Sequence, residues 1–207
     1  MKKYFSIIKN IALDRVRRKT GKYYFIKAIK KTPFKIVIGA SGVTPAGWTP
    51  SDADYLNLLN ENHWSSYFKD NKIDALLAEH VWEHLSEEEG GVAAAVCFKY
   101  LKEGGYLRVA VPDGFFPDQK YIDYVRPAGS GYGADDHKIL YTYKTLSDIF
   151  EKAGFRVDLL EYFDENGFFH YKEWNKDDGM IFRSKRFDER NVGEVLGYTS
   201  IILDAKK

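Results

Sequence analysis

The chain has 207 residues, of which 44% are apolar and 29% charged, so neither a disordered nor a fibrous protein is favoured, and one globular domain is expected. Its single cysteine, Cys97, excludes an internal disulfide, and no apolar run reaches the roughly 20 residues that a membrane span needs. The net charge of +1 conceals a division, because residues 1–35 carry twelve Lys or Arg and one acid. We therefore expect a basic N-terminal arm, and the single cysteine favours a cytoplasmic location.

The predicted arm, residues 1–34, carries apolar side chains at helical spacing. They are Tyr4, Ile7, Ile8, Ile11, Ala12 and Val16. This pattern favours a helix that packs its apolar stripe on the following domain, while peripheral contact of the basic face with an anionic membrane is the alternative. No nucleic-acid partner is expected, because aromatic residues are not interleaved with the basic ones.

After Pro33 the pattern changes to short apolar runs separated by helical stretches. The runs predicted as strands are Lys35–Ala40, Ile73–Ala78, Tyr106–Val111, Phe155–Phe163 and Tyr198–Ala205. Their continuous apolar character is typical of strands that are covered on both faces. Between these runs, Ser86 and Glu89 form a capping box that begins a helix. We expect this helix to end at Gly104-Gly105 and a second helix to end at Gly154. The sequence predicts an α/β fold with a Rossmann-like, doubly wound, mostly parallel sheet.

The stretch 164–197 is polar, aromatic and interrupted by glycines, which predicts an insertion or lid before the last strand. The expected organisation is therefore an arm over 1–34 and a domain over 35–207 that contains this insertion. Its basic side chains could hold a phosphate or carboxylate group of a ligand, or they could form a solvated surface. They are Arg183, Lys185, Arg186 and Arg190.

A glycine turn, Gly39-Ala40-Ser41-Gly42, directly follows the first predicted strand. Such a turn at the carboxyl end of a strand lets a ligand approach main-chain N–H groups. It is similar to the opening of the short-chain dehydrogenases, but Pro45 stands where those proteins have a third glycine. The sequence Tyr-x-x-x-Lys, from Tyr23 to Lys27, also lies upstream of the turn instead of downstream. Both departures disfavour an NAD(P)-dependent dehydrogenase.

The segment from His80 to His84 has the form His-x-x-Glu-His, which occurs in inverted zinc peptidases, and Glu161 could be a third ligand. In those enzymes the motif begins a long helix, whereas here it directly follows a predicted strand. We therefore disfavour a zinc hydrolase, expect no bound metal, and expect a structural role for His84.

Four segments in chain order resemble the class I S-adenosylmethionine-dependent methyltransferases, in a compact subgroup often associated with glycan biosynthesis. They are IVIGASGVTPAGWTPSD, IDALLAEHVWEHLSEEE, YLKEGGYLRVAVPD and LSDIFEKAGF. The resemblance extends from about Phe34 to Asp204 and implies this family's fold and S-adenosyl-L-methionine as cofactor. The chain departs from the family at Ala40, where cysteine is common, and in having almost no first helix.

The resemblance implies that the glycine turn faces the amino-acid part of the cofactor, while Asp52 accepts the ribose hydroxyls, with Asp54 as the second choice. Asn60 and Glu61 would then address the adenine edge, and Trp64 either stacks on the adenine or packs in the core. The full set of implied cofactor-binding residues is Gly39, Ala40, Ser41, Gly42, Asp52, Asn60, Glu61, Ala78, Glu79 and His80.

The residues on the acceptor side are less specific. His137, which neighbouring acids could orient, and Asp113, at the end of the third strand, are the candidate general bases. Similar proteins suggest O-methylation of a glycan or a lipid-linked sugar. The alternative is a non-catalytic relative that binds the cofactor or a partner.

Overall fold

The computed structural model describes residues 20–40, 44–68, 72–193 and 195–207. The helices are α1 over 20–28, α2 Glu61–Tyr67, α3 Glu87–Tyr100, α4 Gln119–Val125 and α5 Tyr143–Lys152, and short 3-10 turns lie at Trp82–His84, Ala134–Asp136 and Lys176–Asp178. The strands are β1 Lys35–Val37, β2 Thr49–Pro50, β3 Ile73–Glu79, β4 Leu101–Pro112, β5 Arg156–Phe163, β6 Phe169–Tyr171 and β7 Ser200–Lys206. Within these described ranges, no helix has the length and apolar character to cross a membrane.

The seven strands form one sheet in the order β2-β1-β3-β4-β7-β5-β6. The neighbours from β2 to β4 are parallel, whereas β7 runs antiparallel to β4 and β5, and β6 runs antiparallel to β5. After β1 the chain moves to one side to form β2 and then returns to the other side to form β3. The switch point of the sheet therefore lies between the carboxyl ends of β1 and β3, where α/β proteins bind ligands. The predicted fold class is confirmed.

The five predicted strands are all present, but two short strands and one helix end differ from the prediction. The strands β2 and β6 contain only two and three residues, too few to show an apolar pattern. Helix α3 ends at Tyr100 and not at Gly104-Gly105, because Leu101 already begins β4 and pairs with Ile73 of β3. Gly104 instead adopts a left-handed conformation, with φ +74°, where the pairing of β3 with β4 shifts register.

The two faces of the sheet are covered in different ways. Helices α1, α2, α3 and α5 pack on one face, around buried side chains such as Leu76 and Leu107. On the other face, Leu77 and Ile202 are covered by Trp48, Trp174 and Ile181, which lie outside regular helices. Among the described residues, this second face is therefore covered by irregular segments, mainly by residues 172–193, which we call the strap.

The end of the predicted arm packs into the core. Phe25 of α1 is buried, with its ring against Phe34, Tyr55 and Phe68. The apolar stripe predicted for Tyr4 to Val16 lies outside the described residues. Of the two alternatives for Trp64, the structure shows packing in the core, because the ring is buried and its Nε1 donates to the carbonyl of Asn57 at 2.8 Å.

The predicted capping box of α3 is present and gives a stability test. The Ser86 hydroxyl accepts the N–H of Glu89, and the Glu89 carboxylate accepts the N–H of Ser86. Ser86→Ala is expected to lower the free energy of unfolding by about 1 kcal/mol, because one N-terminal N–H of the helix loses its acceptor. Urea unfolding measures the change, and Ser86→Thr should retain most of the stability. Equal stability of the alanine variant and the wild type would contradict this prediction.

Candidate functional site

Two clefts open at the carboxyl ends of the strands. The loop cleft, about 350 Å³, is lined by Ile38, Gly39, Ala53, Leu56, Asn57, Leu58, Leu59, His80, Val81, His84 and Leu85. The strap cleft, about 440 Å³, is lined by Val37, Ile38, Gly39, Ala40, Pro45, Leu77, Glu79, Met180, Phe182, Arg183, Phe187, Asp188, Glu189 and Arg190. Both contain Ile38 and Gly39, so they meet at the switch point.

Gly39 is held in a conformation that favours glycine. Its φ is +62°, and a Cβ at this position would lie 3.2 Å from the Val81 side chain. The next residue, Ala40, donates its N–H to the carbonyl of Ser51 at 3.0 Å, which ties the end of β1 to β2. The predicted contacts Ser41 and Gly42 lie outside the described residues.

His80 has strained main-chain geometry at the end of β3. Its φ is +56°, which is uncommon outside glycine and persists where the surroundings fix it. The His80 N–H donates to the carbonyl of Ala110, and the ring Nε2 lies 3.1 Å from the Ser200 hydroxyl. Because that hydroxyl donates to the carbonyl of Arg183 at 2.8 Å, its oxygen accepts from the His80 ring. This predicted cofactor residue is therefore fixed at the rim of the loop cleft.

Glu83, in the turn after β3, is a fully buried carboxylate with a side chain 0% exposed. Its Oε1 forms an ion pair with Nδ1 of His80 at 2.9 Å, and neither carboxylate oxygen has a further partner among the described residues. Burial acts to raise the pKa of Glu83, but the neighbouring His80 and His84 outweigh it and leave the pKa below its usual value. The geometry thus favours a buried negative charge.

His137, the predicted base, lies beside His84. The two rings meet edge to face with centroids 4.8 Å apart, and Nδ1 of His84 lies 2.8 Å from Oδ1 of Asp136. His137 Nδ1 is 2.7 Å from the carbonyl of Val125, which can only accept. The Nδ1 atom therefore carries a proton, and in the neutral ring Nε2 has a lone pair that can take a proton or bind a metal.

Asp113, the second predicted base, connects the ends of two strands. Its two carboxylate oxygens accept the N–H groups of Phe115 at 2.9 Å and Phe163 at 2.7 Å. Burial raises the pKa of Asp113 to about 6, although these two hydrogen bonds act to lower it. The side chain lines neither cleft, so the arrangement is that of a structural carboxylate, and its catalytic role stays a prediction.

The predicted ribose and adenine residues follow β2. Asp52 Oδ1 accepts the N–H of Asp54, and its neighbour Ala53 lines the loop cleft. Asn60 caps α2, and Glu61 forms an ion pair with Lys99. Neither Asn60 nor Glu61 lines a cleft, whereas the segment just before them does. Its lining residues, which the sequence analysis missed, are Asn57, Leu58 and Leu59, and the apolar run from Leu56 was the available signal.

Glu79 and the strap form the second cleft. The two carboxylate oxygens of Glu79 accept the N–H groups of Phe182 at 3.0 Å and Arg183 at 2.8 Å, which attaches the strap to the end of β3. The Arg183 guanidinium lies 3.6 Å from the same carboxylate, and Asp188 pairs with Arg190 through two hydrogen bonds of 2.8 and 2.6 Å. The strap cleft therefore presents charges of both signs. Ala78, which precedes Glu79 and is another of the predicted cofactor-binding residues, is buried in β3.

Glu161 is not placed as the third ligand of an inverted zinc peptidase. Its oxygens accept from the Trp174 ring N–H, the Lys185 main-chain N–H and the Thr199 hydroxyl, at 2.8 to 2.9 Å. The motif itself forms a short 3-10 turn, Trp82–His84, and does not begin a long helix. The structure therefore supports the sequence argument against that class.

No protein-family model and no curated protein matches the chain. A solved S-adenosylmethionine-dependent methyltransferase from Archaeoglobus fulgidus is similar, with 16% identity over 93% of this chain and 94% of that chain and a TM-score of 0.50. Another, from Thermotoga maritima and described as a possible histamine N-methyltransferase, has 16% identity over 98% of this chain and all of that chain, with a TM-score of 0.47. The sheet is that of the class I S-adenosylmethionine-dependent methyltransferase fold.

Proposed function

We propose that this protein binds S-adenosylmethionine and transfers its methyl group to a small-molecule or glycan acceptor. The observation that carries the proposal is the meeting of two clefts at Gly39, at the switch point of a methyltransferase-type sheet. Ligands of open α/β sheets bind outside the carboxyl ends of the strands at this point. Together the clefts provide an elongated site on both sides of one glycine.

The loop cleft suits an adenosine. Ile38, Leu56 and Val81 supply apolar walls for a planar base, and Asn57 supplies polar groups in the same lining. Asp52 begins the segment that forms one wall, and its carboxylate can accept two neighbouring ribose hydroxyls. The left-handed turn at Gly39 leaves room for the ligand chain to cross from this cleft to the other.

The strap cleft suits the zwitterionic amino-acid end of the cofactor. Arg183 can pair with a carboxylate, because its own nearest carboxylate lies 3.6 Å away, beyond hydrogen-bond distance. Glu79, Asp188 and Glu189 provide negative charge for an ammonium group. When bound, the cofactor supplies an electrophilic methyl group, and the protein's task is to align the acceptor with it.

The acceptor side contains one predicted base with a suitable lone pair, Nε2 of His137, close to the His84 wall of the loop cleft. O-methylation of a glycan or a lipid-linked sugar remains our proposal for the reaction. The second candidate function is cofactor binding without turnover, since the resemblance carries no acceptor motif. Binding without methyl transfer to any acceptor in a broad panel of sugars and metabolites would favour this second function.

Cofactor binding is tested by calorimetry of the full chain with S-adenosylhomocysteine. Asp52→Ala is expected to weaken binding by about 1–3 kcal/mol, because the ribose hydroxyls lose a hydrogen-bond acceptor. Asp148→Ala, at an exposed position on α5, is the matched control and should bind like the wild type. If Asp54→Ala weakens binding and Asp52→Ala does not, the ribose assignment moves to Asp54. The absence of binding by the wild type would refute the proposed function.

A further inference from the structure

Three potential metal ligands come together where the loop cleft meets the segment around His137. Glu83, His84 and His137 each place one ligand atom within 4.8 Å of the others. Among the described residues, no other group of three such side chains meets this distance. Two imidazoles and one carboxylate form a typical protein site for Zn²⁺ and other first-row divalent cations. Mg²⁺ and Ca²⁺ prefer oxygen ligands and fit this set poorly.

The polar atoms of the cluster give independent support. Both carboxylate oxygens of Glu83 are buried and have no aligned hydrogen bond among the described residues, and the buried Nδ1 of His84 has Oδ1 of Asp136 beside it at 2.8 Å. Leaving such groups unpaired is costly, and a single histidine, His80, approaches the carboxylate at ion-pair distance. A cation among Glu83, His84 and His137 would compensate the buried carboxylate.

The surroundings of His137 have the form of a second ligand shell. Metal-bound histidines usually donate their other ring N–H to a carbonyl or carboxylate, and His137 donates Nδ1–H to the carbonyl of Val125. The segment that carries His137 is fixed to the turn that carries the other two groups. Lys138 and Ile139 donate their main-chain N–H groups to the carbonyl of Glu83 at 2.7 and 3.3 Å.

We propose that Glu83, His84 and His137 bind one divalent first-row cation, with Zn²⁺ as the best-fitting ion. At metal–ligand distances of about 2.0–2.2 Å, tetrahedral ligands lie roughly 3.4 Å apart, so ligand atoms now up to 4.8 Å apart would approach one another by up to about 1.4 Å on binding. Because His84 also lines the loop cleft, the ion would lie beside the wall of this cleft. This proposal replaces the expectation from sequence that the protein binds no metal.

The role of the ion, in contrast to its binding, rests on the proposed function. An acceptor hydroxyl that completed the coordination of the ion would release its proton to solvent water more readily. His137 would then act as a ligand and could not serve as the general base. The ion would lower the pKa of the acceptor hydroxyl, and Asp136, 2.8 Å from Nδ1 of His84, would add negative charge beside the site.

The experiment is direct metal binding by the full chain after removal of metals with a chelator. Titration with Zn²⁺ by calorimetry, and with Co²⁺ by visible absorption, should show one equivalent per chain. His84→Ala and His137→Ala should each weaken binding at least about 10-fold, and Asp136→Asn should weaken it less. His170→Ala is the matched control, because this exposed histidine pairs with Asp164 away from the cluster and should bind like the wild type. Circular dichroism verifies that each variant is folded.

Failure of folded, metal-free wild type to bind either ion would overturn the proposal, as would unchanged affinity in both His84→Ala and His137→Ala. S-adenosylhomocysteine binding is measured separately on the chelated protein. Cofactor binding without metal binding refutes this inference and leaves the proposed function standing. Metal binding that His84 and His137 control, without cofactor binding, supports the metal site and refutes the proposed function.

Discussion

Replacement of Asp204 by alanine is expected to lower the free energy of unfolding by about 3–5 kcal/mol. Asp204 on β7 accepts hydrogen bonds from Nε of Arg108 at 2.7 Å and from Nη2 at 2.9 Å. The Arg108 side chain is only 2% exposed, so removal of the carboxylate leaves a buried positive charge without its partner. Urea unfolding near pH 7 measures the loss.

Asp158→Ala provides the control for this prediction. Its carboxylate, on β5, pairs with Lys172 and Lys206 in a partly exposed position, so its loss should cost about 1 kcal/mol or less. The double variant Asp204→Leu with Arg108→Met should be more stable than Asp204→Ala, because no unpaired buried charge remains. A cost below about 1 kcal/mol for Asp204→Ala would contradict the prediction.

The same arginine couples the sheet to the strap cleft. Nη1 of Arg108 donates to the carbonyls of Asn175 at 3.0 Å and Gly179 at 2.8 Å, and its guanidinium lies 5.0 Å from the centre of the Trp174 ring. The double variant Asp204→Leu with Arg108→Met should therefore recover stability, but it still lacks the hydrogen bonds from Arg108 to the strap. We expect it to bind S-adenosylhomocysteine more weakly than the wild type, because the strap forms one wall of the strap cleft.

The main elements of the fold could be predicted because their signals are local. The apolar run at Ile73–Ala78, the capping box at Ser86 and the helix end at Gly154 each depend on neighbouring residues, and the structure contains all three. The position of Gly39 at the end of β1 follows for the same reason.

The rest depends on contacts between distant residues. The strap has little apolar pattern and is attached through Glu79, Arg108 and Glu161, whose partners lie far along the chain. The proposed metal site is hidden for the same reason. The motif suggested His80 and His84 as partners, whereas main-chain hydrogen bonds to Glu83 bring His137 into the cluster from a separate loop.

The titration of Asp113 should make the contribution of this residue to stability fall as the pH rises from about 4 to 6. Burial raises its pKa in the folded protein from 3.8 to about 6. Below pH 4 the carboxyl group is protonated in both states. Between pH 4 and pH 6 the folded state holds a proton that the unfolded chain has lost. The stabilisation is therefore fully present below the unfolded pKa and is lost as the pH rises through the folded pKa. The full change is on the order of 3 kcal/mol.

Other carboxylates act in the opposite direction, so the effect of Asp113 must be isolated by difference. Ion pairs and hydrogen bonds lower the pKa values of Asp74 and Asp158 against the effect of burial, and their contributions to stability are lost as the pH falls. These groups are shared by the wild type and Asp113→Asn, so their contributions cancel when the two proteins are compared. Urea unfolding at pH 4, 5, 6 and 7 should show the advantage of the wild type shrinking with rising pH. A constant or growing advantage would mean that the N–H groups of Phe115 and Phe163 stabilise the charged form at least as much as burial penalises it.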